Sequence, residues 1–216
     1  DPQNIKKKGN FLSRLIFDEI ISTFLINSRV RKSIKKIKKN NKFFENKEFN
    51  KIKNKIDFEL TNDQKIAIDE INYDLKSNQK MFRLLQGDVG SGKTVVSLIA
   101  AINIILNKYQ VAYMVPTEIL AEQHYKLFSK VAGNKFSSEL LTGKTNYKKR
   151  KIILENLKNK KIDIIFGTHA LFQKKIKFKN LGLIIIDEQH KFGVKQRHDL
   201  IQKGENLDIL VMTATP

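Results

Sequence analysis

Hydrophobic positions follow two regimes along the chain. Up to residue 57 they recur with helical spacing. Leu12, Ile16, Ile20 and Phe24 keep an i, i+4 interval, Leu15, Ile21 and Leu25 run beside them, and Val30, Ile34 and Ile37 continue the stripe. This predicts a long helix from Phe11 to Ile37. Asn40 and Asn41 stop the pattern, and Phe43 to Asp57 predicts a second, shorter helix. From Phe58 onward, short β-branched runs alternate with helical patterns. Strands are predicted at Phe82–Leu85, Val111–Val115, Ser138–Leu141, Ile162–Phe166, Leu183–Ile186 and Ile209–Met212. Several of these runs are almost wholly apolar, as strands covered on both faces must be. The alternation predicts an α/β fold, a parallel sheet with crossover helices. The chain therefore reads as a basic helical segment, 1–57, followed by an α/β domain, 58–216.

Polar residues cluster just past the C-terminal ends of these strands, the edge on which open α/β sheets bind ligands. Pro116-Thr117-Glu118, Thr142-Gly143, Gly167-Thr168-His169, Asp187-Glu188-Gln189-His190 and Thr213-Ala214-Thr215 all fall there. One such loop is ordinary turn chemistry; five on one edge predict a long functional surface.

The first strand runs into Gly87-Asp88-Val89-Gly90-Ser91-Gly92-Lys93-Thr94, a G-x-x-x-x-G-K-[ST] phosphate loop. Gly87, Gly90 and Gly92 allow the tight, partly left-handed backbone that turns successive N–H groups towards a triphosphate. Lys93 is placed to reach the β- and γ-phosphates, and Thr94 to offer a hydroxyl to Mg²⁺. The apolar helix that follows, with Val95, Val96, Leu98, Ile99, Ile102, Ile104, Ile105 and Leu106, aims its positive end at the anion. A second apolar strand delivers Asp187 and Glu188. In company with the phosphate loop, Asp187 is the expected Mg²⁺ carboxylate and Glu188 the base that orients and deprotonates the attacking water. His190 follows in the same loop, near the expected γ-phosphate. Upstream, Thr61 is a candidate N-cap for a helix carrying Ile66, Ile68 and Ile71. Gln64, just ahead of the phosphate loop, has an amide able to pair donor and acceptor with an adenine edge.

Composition narrows the setting. The formal net charge is +19, and 16 basic against 6 acidic residues in positions 1–57 place ten of those charges in about a quarter of the chain. Nucleic acid is the first expected partner of such a balance, ahead of an anionic membrane. Only six of the 41 basic residues are Arg, so the bias also fits a Lys-rich proteome. The polar face from Arg29 to Lys42 reads equally as a solvated face and as one turned to phosphate. There are no cysteines, which excludes disulfides and thiolate metal sites. Neither a secretory signal nor an apolar run approaching the ~20 residues needed for a membrane span is visible.

The motif set L-T-N-D-Q, G-D-V-G-S-G-K-T, P-T-E-I-L-A-E-Q-H, L-L-T-G, G-T-H-A-L-F-Q, D-E-Q-H-K-F-G-V-K-Q-R and V-M-T-A-T-P resembles the first motor domain of superfamily 2 DNA helicases. The resemblance is nearest to the RecG family of bacterial branch-migrating helicases, with Ser91 and Gln189 favouring that family over transcription-repair coupling factors. It covers residues 58–216, and more weakly 10–38, which look like the linker between a DNA-binding wedge domain and the motor. It implies a RecA-like P-loop NTPase fold and ATP with Mg²⁺ as cofactors. Gln64 would recognise adenine, Gly87 to Thr94 would bind ATP and Mg²⁺, and Asp187 and Glu188 would be the catalytic pair. Thr117, Gly143 and Thr168 match positions that touch the DNA backbone. The Phe192 to Arg197 element, with Gln196 and Arg197, matches one that couples nucleotide state to duplex DNA, and Gln189, Thr213 and Thr215 match positions that bind DNA or take part in that coupling. Lys191 stands where relatives often carry Arg. The implied partner is branched or forked DNA, the implied compartment the bacterial cytoplasm, and the expected state a monomer. A second motor domain with its arginine finger, and the wedge domain, are expected partners outside this chain. The alternative expectations are a nucleotide-switched DNA- or partner-binding module without turnover, or the motor domain of a translocase like the transcription-repair coupling factor.

Overall fold

Thr61 starts the first helix, α1 (Asn62–Lys76), as its side chain predicts. Its Oγ1 accepts from Gln64 N at 3.3 Å, and Gln64 Oε1 accepts from Thr61 N at 3.0 Å, so two orphan donors of the first turn are satisfied reciprocally. The computed structural model describes Arg14 and residues 38–42, 59–173, 175–188 and 206–214. The chain divides into two units, residues 1–37 and Lys38–Pro216. Of the first, Arg14 is helical and exposed; the expected helices over Phe11–Ile37 and Phe43–Asp57 otherwise lie outside the described residues.

The second unit continues with β1 (Phe82–Gln86), α2 (Lys93–Leu106), β2 (Gln110–Met114), α3 (Glu118–Ala132), β3 (Ser138–Leu141), α4 (Tyr147–Lys158), β4 (Ile164–Gly167), β5 (Leu181–Asp187) and β6 (Asp208–Thr213). The six strands form one sheet in the order β1-β6-β5-β2-β4-β3, and every pair is parallel. Each predicted strand is present, displaced by at most two residues at either end.

Period-two geometry sorts the strand residues between two cores. Tyr113, Ile185, Leu210 and Met212 join Ile71, Leu75, Ile102 and Phe128 on one face. Met114, Ile184, Ile209 and Val211 join Ile153 and Leu157 of α4 on the other. The four inner strands are buried throughout except at Asp187, the last residue of β5, whereas the edge strands β1 and β3 are only partly covered and Leu84 is 49 % exposed. Truncating one of the inner residues to Ala removes its burial and leaves a cavity, at a cost of about 2 to 5 kcal/mol.

Helix α2 is buried without a break from Val96 to Ile105, including two polar residues. Ser97 donates to Thr94 O at 2.8 Å, and Asn103 Nδ2 donates to Asn72 Oδ1 at 2.8 Å, so neither is an unpaired dipole in the core. Gln110 at the start of β2 is fully covered and uses its whole amide. Nε2 donates to Leu157 O and Ile162 O, while Oε1 accepts from Lys179 N and Asn180 N. One side chain thereby ties the ends of α4, β4 and β5 at the bottom of the sheet. Ile66, by contrast, is 56 % exposed, and α1 packs through Ile68, Ile71 and Leu75.

Residues 38–42, assigned by the sequence to the basic segment, pack on the α/β unit. Lys39 Nζ and Lys42 Nζ both pair with the Asp208 carboxylate at the start of β6, and all three side chains are fully covered. Asp208 Oδ1 also accepts from Met81 N, Lys39 reaches the carbonyls of Asp74 and Leu75, and Lys42 those of Gly182 and Asn206. Burial holds both ammonium groups below the ordinary lysine range, Lys42 down to about 8, with Asp208 opposing the shift.

Candidate nucleotide site

The phosphate loop leaves β1 at Gln86 and enters α2 at Lys93. Gly90 and Gly92 have φ of 84° and 83°, values at which a Cβ meets the carbonyl oxygen, so the loop's curl requires glycine there. Gly92 is also the N-cap of α2 and makes no side-chain cap bond, which leaves the first-turn N–H groups and the positive end of a 14-residue helix facing the loop. Lys93 folds over it, donating from Nζ to Gly87 O and to Asp88 O at 2.8 Å. Gln64 holds the loop from outside: its Nε2 donates to Ser91 O at 2.9 Å, and a Cβ on Gly92 would lie 2.3 Å from that nitrogen.

Strand register sets the other half of the site. Gln86 pairs with Thr213 across β1 and β6, and Asp187 pairs with Met212 across β5 and β6. The end of β6 therefore lies between the phosphate loop and the acidic pair, and Gly87 N donates to Thr213 O at 3.4 Å. Thr94 and Asp187 both approach the buried phenol of Tyr113. Ser97 Oγ lies 2.8 Å from it, and burial, with the Asp187 carboxylate adding to the effect, pushes its pKa up. On the far side of Asp187, His124 Nε2 of α3 is 3.4 Å from Oδ2. Glu188 follows at φ 52°, a left-handed conformation uncommon for a residue with a Cβ.

The donor set of Thr94 and Asp187 is hard and oxygen-only. Among the described residues no cluster of three or more His, Cys, Asp or Glu is placed to hold a metal ion. One carboxylate with one hydroxyl fits Mg²⁺, which is commonly held by few protein ligands together with substrate phosphates and water.

The expected DNA-facing positions differ in access. Thr117 is exposed and caps α3, its Oγ1 accepting from Leu120 N at 3.3 Å, which leaves its own O–H free to donate outward. Gly143 is exposed, and Lys144 beside it pairs with Glu118, whose pKa it holds below the usual range. Thr168 is buried at 9 % exposure, so little of it is available to a phosphate. Gln189, His190, Lys191, the Phe192 to Arg197 element with Gln196 and Arg197, and Thr215 lie outside the described residues. Two site residues escaped the sequence analysis, Tyr113 and His124. Tyr113 sits within an apolar strand run, and His124 had no signal beyond its place at the end of P-T-E-I-L-A-E-Q-H.

The DEAD/DEAH box helicase profile matches residues 61–216, the span that contains the whole described site. The chain belongs to the DEAD/DEAH box helicase family. RecG proteins are among its relatives. It is 52 % identical over 174 residues to the ATP-dependent DNA helicase RecG of Staphylococcus epidermidis, covering 79 % of this chain and 26 % of that protein. To RecG of Borreliella burgdorferi it is 52 % identical over 167 residues, 77 % of this chain and 24 % of that protein. The chain thus spans about a quarter of the length of the curated relatives it matches. A RecG bound to a three-way DNA junction superimposes with a TM-score of 0.79 at 42 % identity, covering 94 % of this chain and 27 % of that one. The DEAD-box helicase Mss116, bound to single-stranded RNA, matches with a TM-score of 0.63 at 21 % identity, covering 79 % of this chain and 38 % of that one, which shows the family's RecA-like fold alone.

Proposed function

We propose that this chain is the ATP-binding motor domain of an ATP-dependent DNA helicase that remodels branched DNA, in the manner of RecG. The observation that carries the reading is the convergence of three strand ends: the phosphate loop after β1, Thr213 at the end of β6 and Asp187-Glu188 at the end of β5. Loop N–H groups and the α2 N-terminus cradle the phosphates, and Lys93 moves from loop carbonyls to the β- and γ-phosphates. Thr94 and Asp187 would hold Mg²⁺, which when bound neutralises charge on the phosphate oxygens. Glu188 orients the attacking water and takes its proton. Gln64 keeps a second amide hydrogen and a second lone pair beyond its bonds to Ser91 and Thr61, enough for an adenine edge.

The β6 end passes the state of the phosphates to the DNA-facing edge, because Thr213 accepts from Gly87 of the loop and Met212 before it pairs with Asp187 of β5. Thr117 and Gly143 offer an exposed hydroxyl and backbone to the DNA phosphates, and Lys148, Lys149 and Lys151 are exposed on α4 next to them. Gln189, Gln196, Arg197 and Thr215 take the coupling roles their motifs imply, with His190 near the γ-phosphate. A second motor domain, a wedge domain and a monomeric state in the bacterial cytoplasm complete the reading. Among the described residues no helix is long and apolar enough to cross a membrane.

Calorimetric titration of the 216-residue chain with Mg-ADP tests it. Saturable heat is expected from the parent and none from Lys93→Ala; equal heats from both would remove the assignment. Binding to forked DNA should fall steeply with salt and show little sequence preference.

A further inference from the structure

His124 is the one side chain among the described residues with a buried polar atom that makes no hydrogen bond, its Nε2. The ring belongs to α3, is 8 % exposed, and lies with its centroid 5.2 Å from that of Tyr113. The acceptor in front of Nε2 is Asp187 Oδ2, 3.4 Å away, within ion-pair reach but outside hydrogen-bond alignment. A buried ring nitrogen without a partner is costly, and here it is aimed at a carboxylate that has a second task.

We propose that His124 is a positioning residue for the Asp187 carboxylate, an inference that rests on the magnesium-nucleotide reading of this site. A small rotation of Asp187 about its side-chain torsions brings Oδ2 into line with an Nε2–H donor. That bond would pin Oδ2 and leave Oδ1 as the oxygen turned to the cation and its water. Tyr113 stands near the other ligand: its hydroxyl is 2.8 Å from Ser97 Oγ, which in turn donates to the Thr94 backbone carbonyl. A tilted Tyr113–His124 pair, with an interplanar angle of 38°, therefore stands beside both oxygen donors. Partners of this kind orient metal ligands, and losing one commonly lowers metal affinity by about 10- to 100-fold.

The test is the magnesium dependence of ADP binding by the 216-residue chain, titrated with excess Mg²⁺ and again with EDTA, alongside melting temperatures. His124→Phe keeps an aromatic ring against Tyr113 and removes the donor; His124→Gln returns an N–H near the Nε2 position. His124→Phe should melt at or above the parent, because an unpaired buried nitrogen is gone. It should bind ADP normally in EDTA and lose about tenfold or more of the gain that Mg²⁺ gives the parent, and His124→Gln should recover part of that gain. A purely structural histidine predicts a parent-like magnesium gain in His124→Phe, or losses that are the same with and without Mg²⁺; either result overturns the proposal. If the parent binds ADP but gains nothing from Mg²⁺, Asp187 is not a magnesium ligand and the proposal falls with that role. If the parent does not bind ADP at all, the nucleotide assignment itself has failed.

Discussion

Gln64 Nε2 donates to Ser91 O at 2.9 Å, joining the first turn of α1 to the phosphate loop. The same amide closes the capping box through Thr61 N, so one residue serves a helix start, a loop and the expected base site. Gln64→Ala should lower stability by about 1 kcal/mol, the net worth of such bonds in partly exposed positions. It should also erase a preference for ADP over GDP, read by titration with each nucleotide. A preserved preference would leave Gln64 as a strap alone. In Gly92→Ala, the new Cβ meets the Gln64 amide, while φ of 83° remains strained. Removing Gln64 as well relieves the first problem and not the second, so the double variant should recover only part of the stability lost by Gly92→Ala.

Glu188 has φ of 52° immediately after β5. Lys108 and Lys160 also have positive φ, and each follows the C-cap of a helix, where a left-handed residue is the normal way to end the turn. Glu188 ends no helix, and a left-handed residue with a Cβ costs roughly 1 to 2 kcal/mol. Glu188→Asn, whose short side chain tolerates this region, should be as stable as the parent or up to about 1 kcal/mol more stable in chemical denaturation. It should lose ATP hydrolysis. A clear loss of stability would show that the Glu188 side chain contributes more than its backbone costs.

The Lys39, Lys42 and Asp208 cluster gives a signed pH dependence. In the folded chain Lys42 titrates at about 8, against 10.5 for the free side chain. Between those values the unfolded chain holds the proton and the folded chain has released it, so this group's contribution to stability rises with pH across that window. Below about 8 the cost of burying the charge is present in full. Lys42 is faced there by Asp208, Lys39 and Lys80, and Lys39 is shifted in the same direction. Denaturation of the parent and of Lys42→Met at pH 7.5 and 10 should therefore show the parent gaining relative to the variant at the higher pH. The opposite slope would mean that pairing with Asp208 outweighs burial. Asp208→Ala leaves two ammonium groups buried without their carboxylate and should cost about 3 to 5 kcal/mol near neutral pH.

Turnover by the 216-residue chain should be slow even with forked DNA present. Of the described arginines, Arg83 is held by Asp74 and Glu70 across to α1, Arg150 donates to Gln173, and Arg14 is in the other unit. Arg83 and Arg150 thus spend their guanidinium groups on partners outside the phosphate loop. A transition-state arginine is worth about 10³ to 10⁵ in rate, so supplying one from a further domain should raise phosphate release by a factor of that order. Turnover near one per second by this chain alone, abolished in Glu188→Gln, would show that the cleft needs no outside arginine.

Local chemistry made much of this protein legible in one dimension. A phosphate loop needs its glycines, lysine and threonine within eight consecutive residues, and inner parallel strands need unbroken apolar runs, so both can be read without knowing the fold. Thr61 and Gln64 likewise declare a helix start through a spacing of three. What depends on strand order was not legible. That β6 separates the phosphate loop from Asp187 follows from the order β1-β6-β5, which no local pattern encodes. Asp208 and its two lysines are 166 to 169 residues apart in sequence, and on composition Lys39 and Lys42 belong to a solvated or phosphate-facing stripe. His124 is the sharpest case. On α3 it is a histidine on a partly polar helix, and only the packing of α3 on the sheet, over β3 and β4, brings its nitrogen to Asp187. A side chain whose partner lies 63 residues further along carries no spacing signal, because tertiary packing alone decides which acceptor it meets.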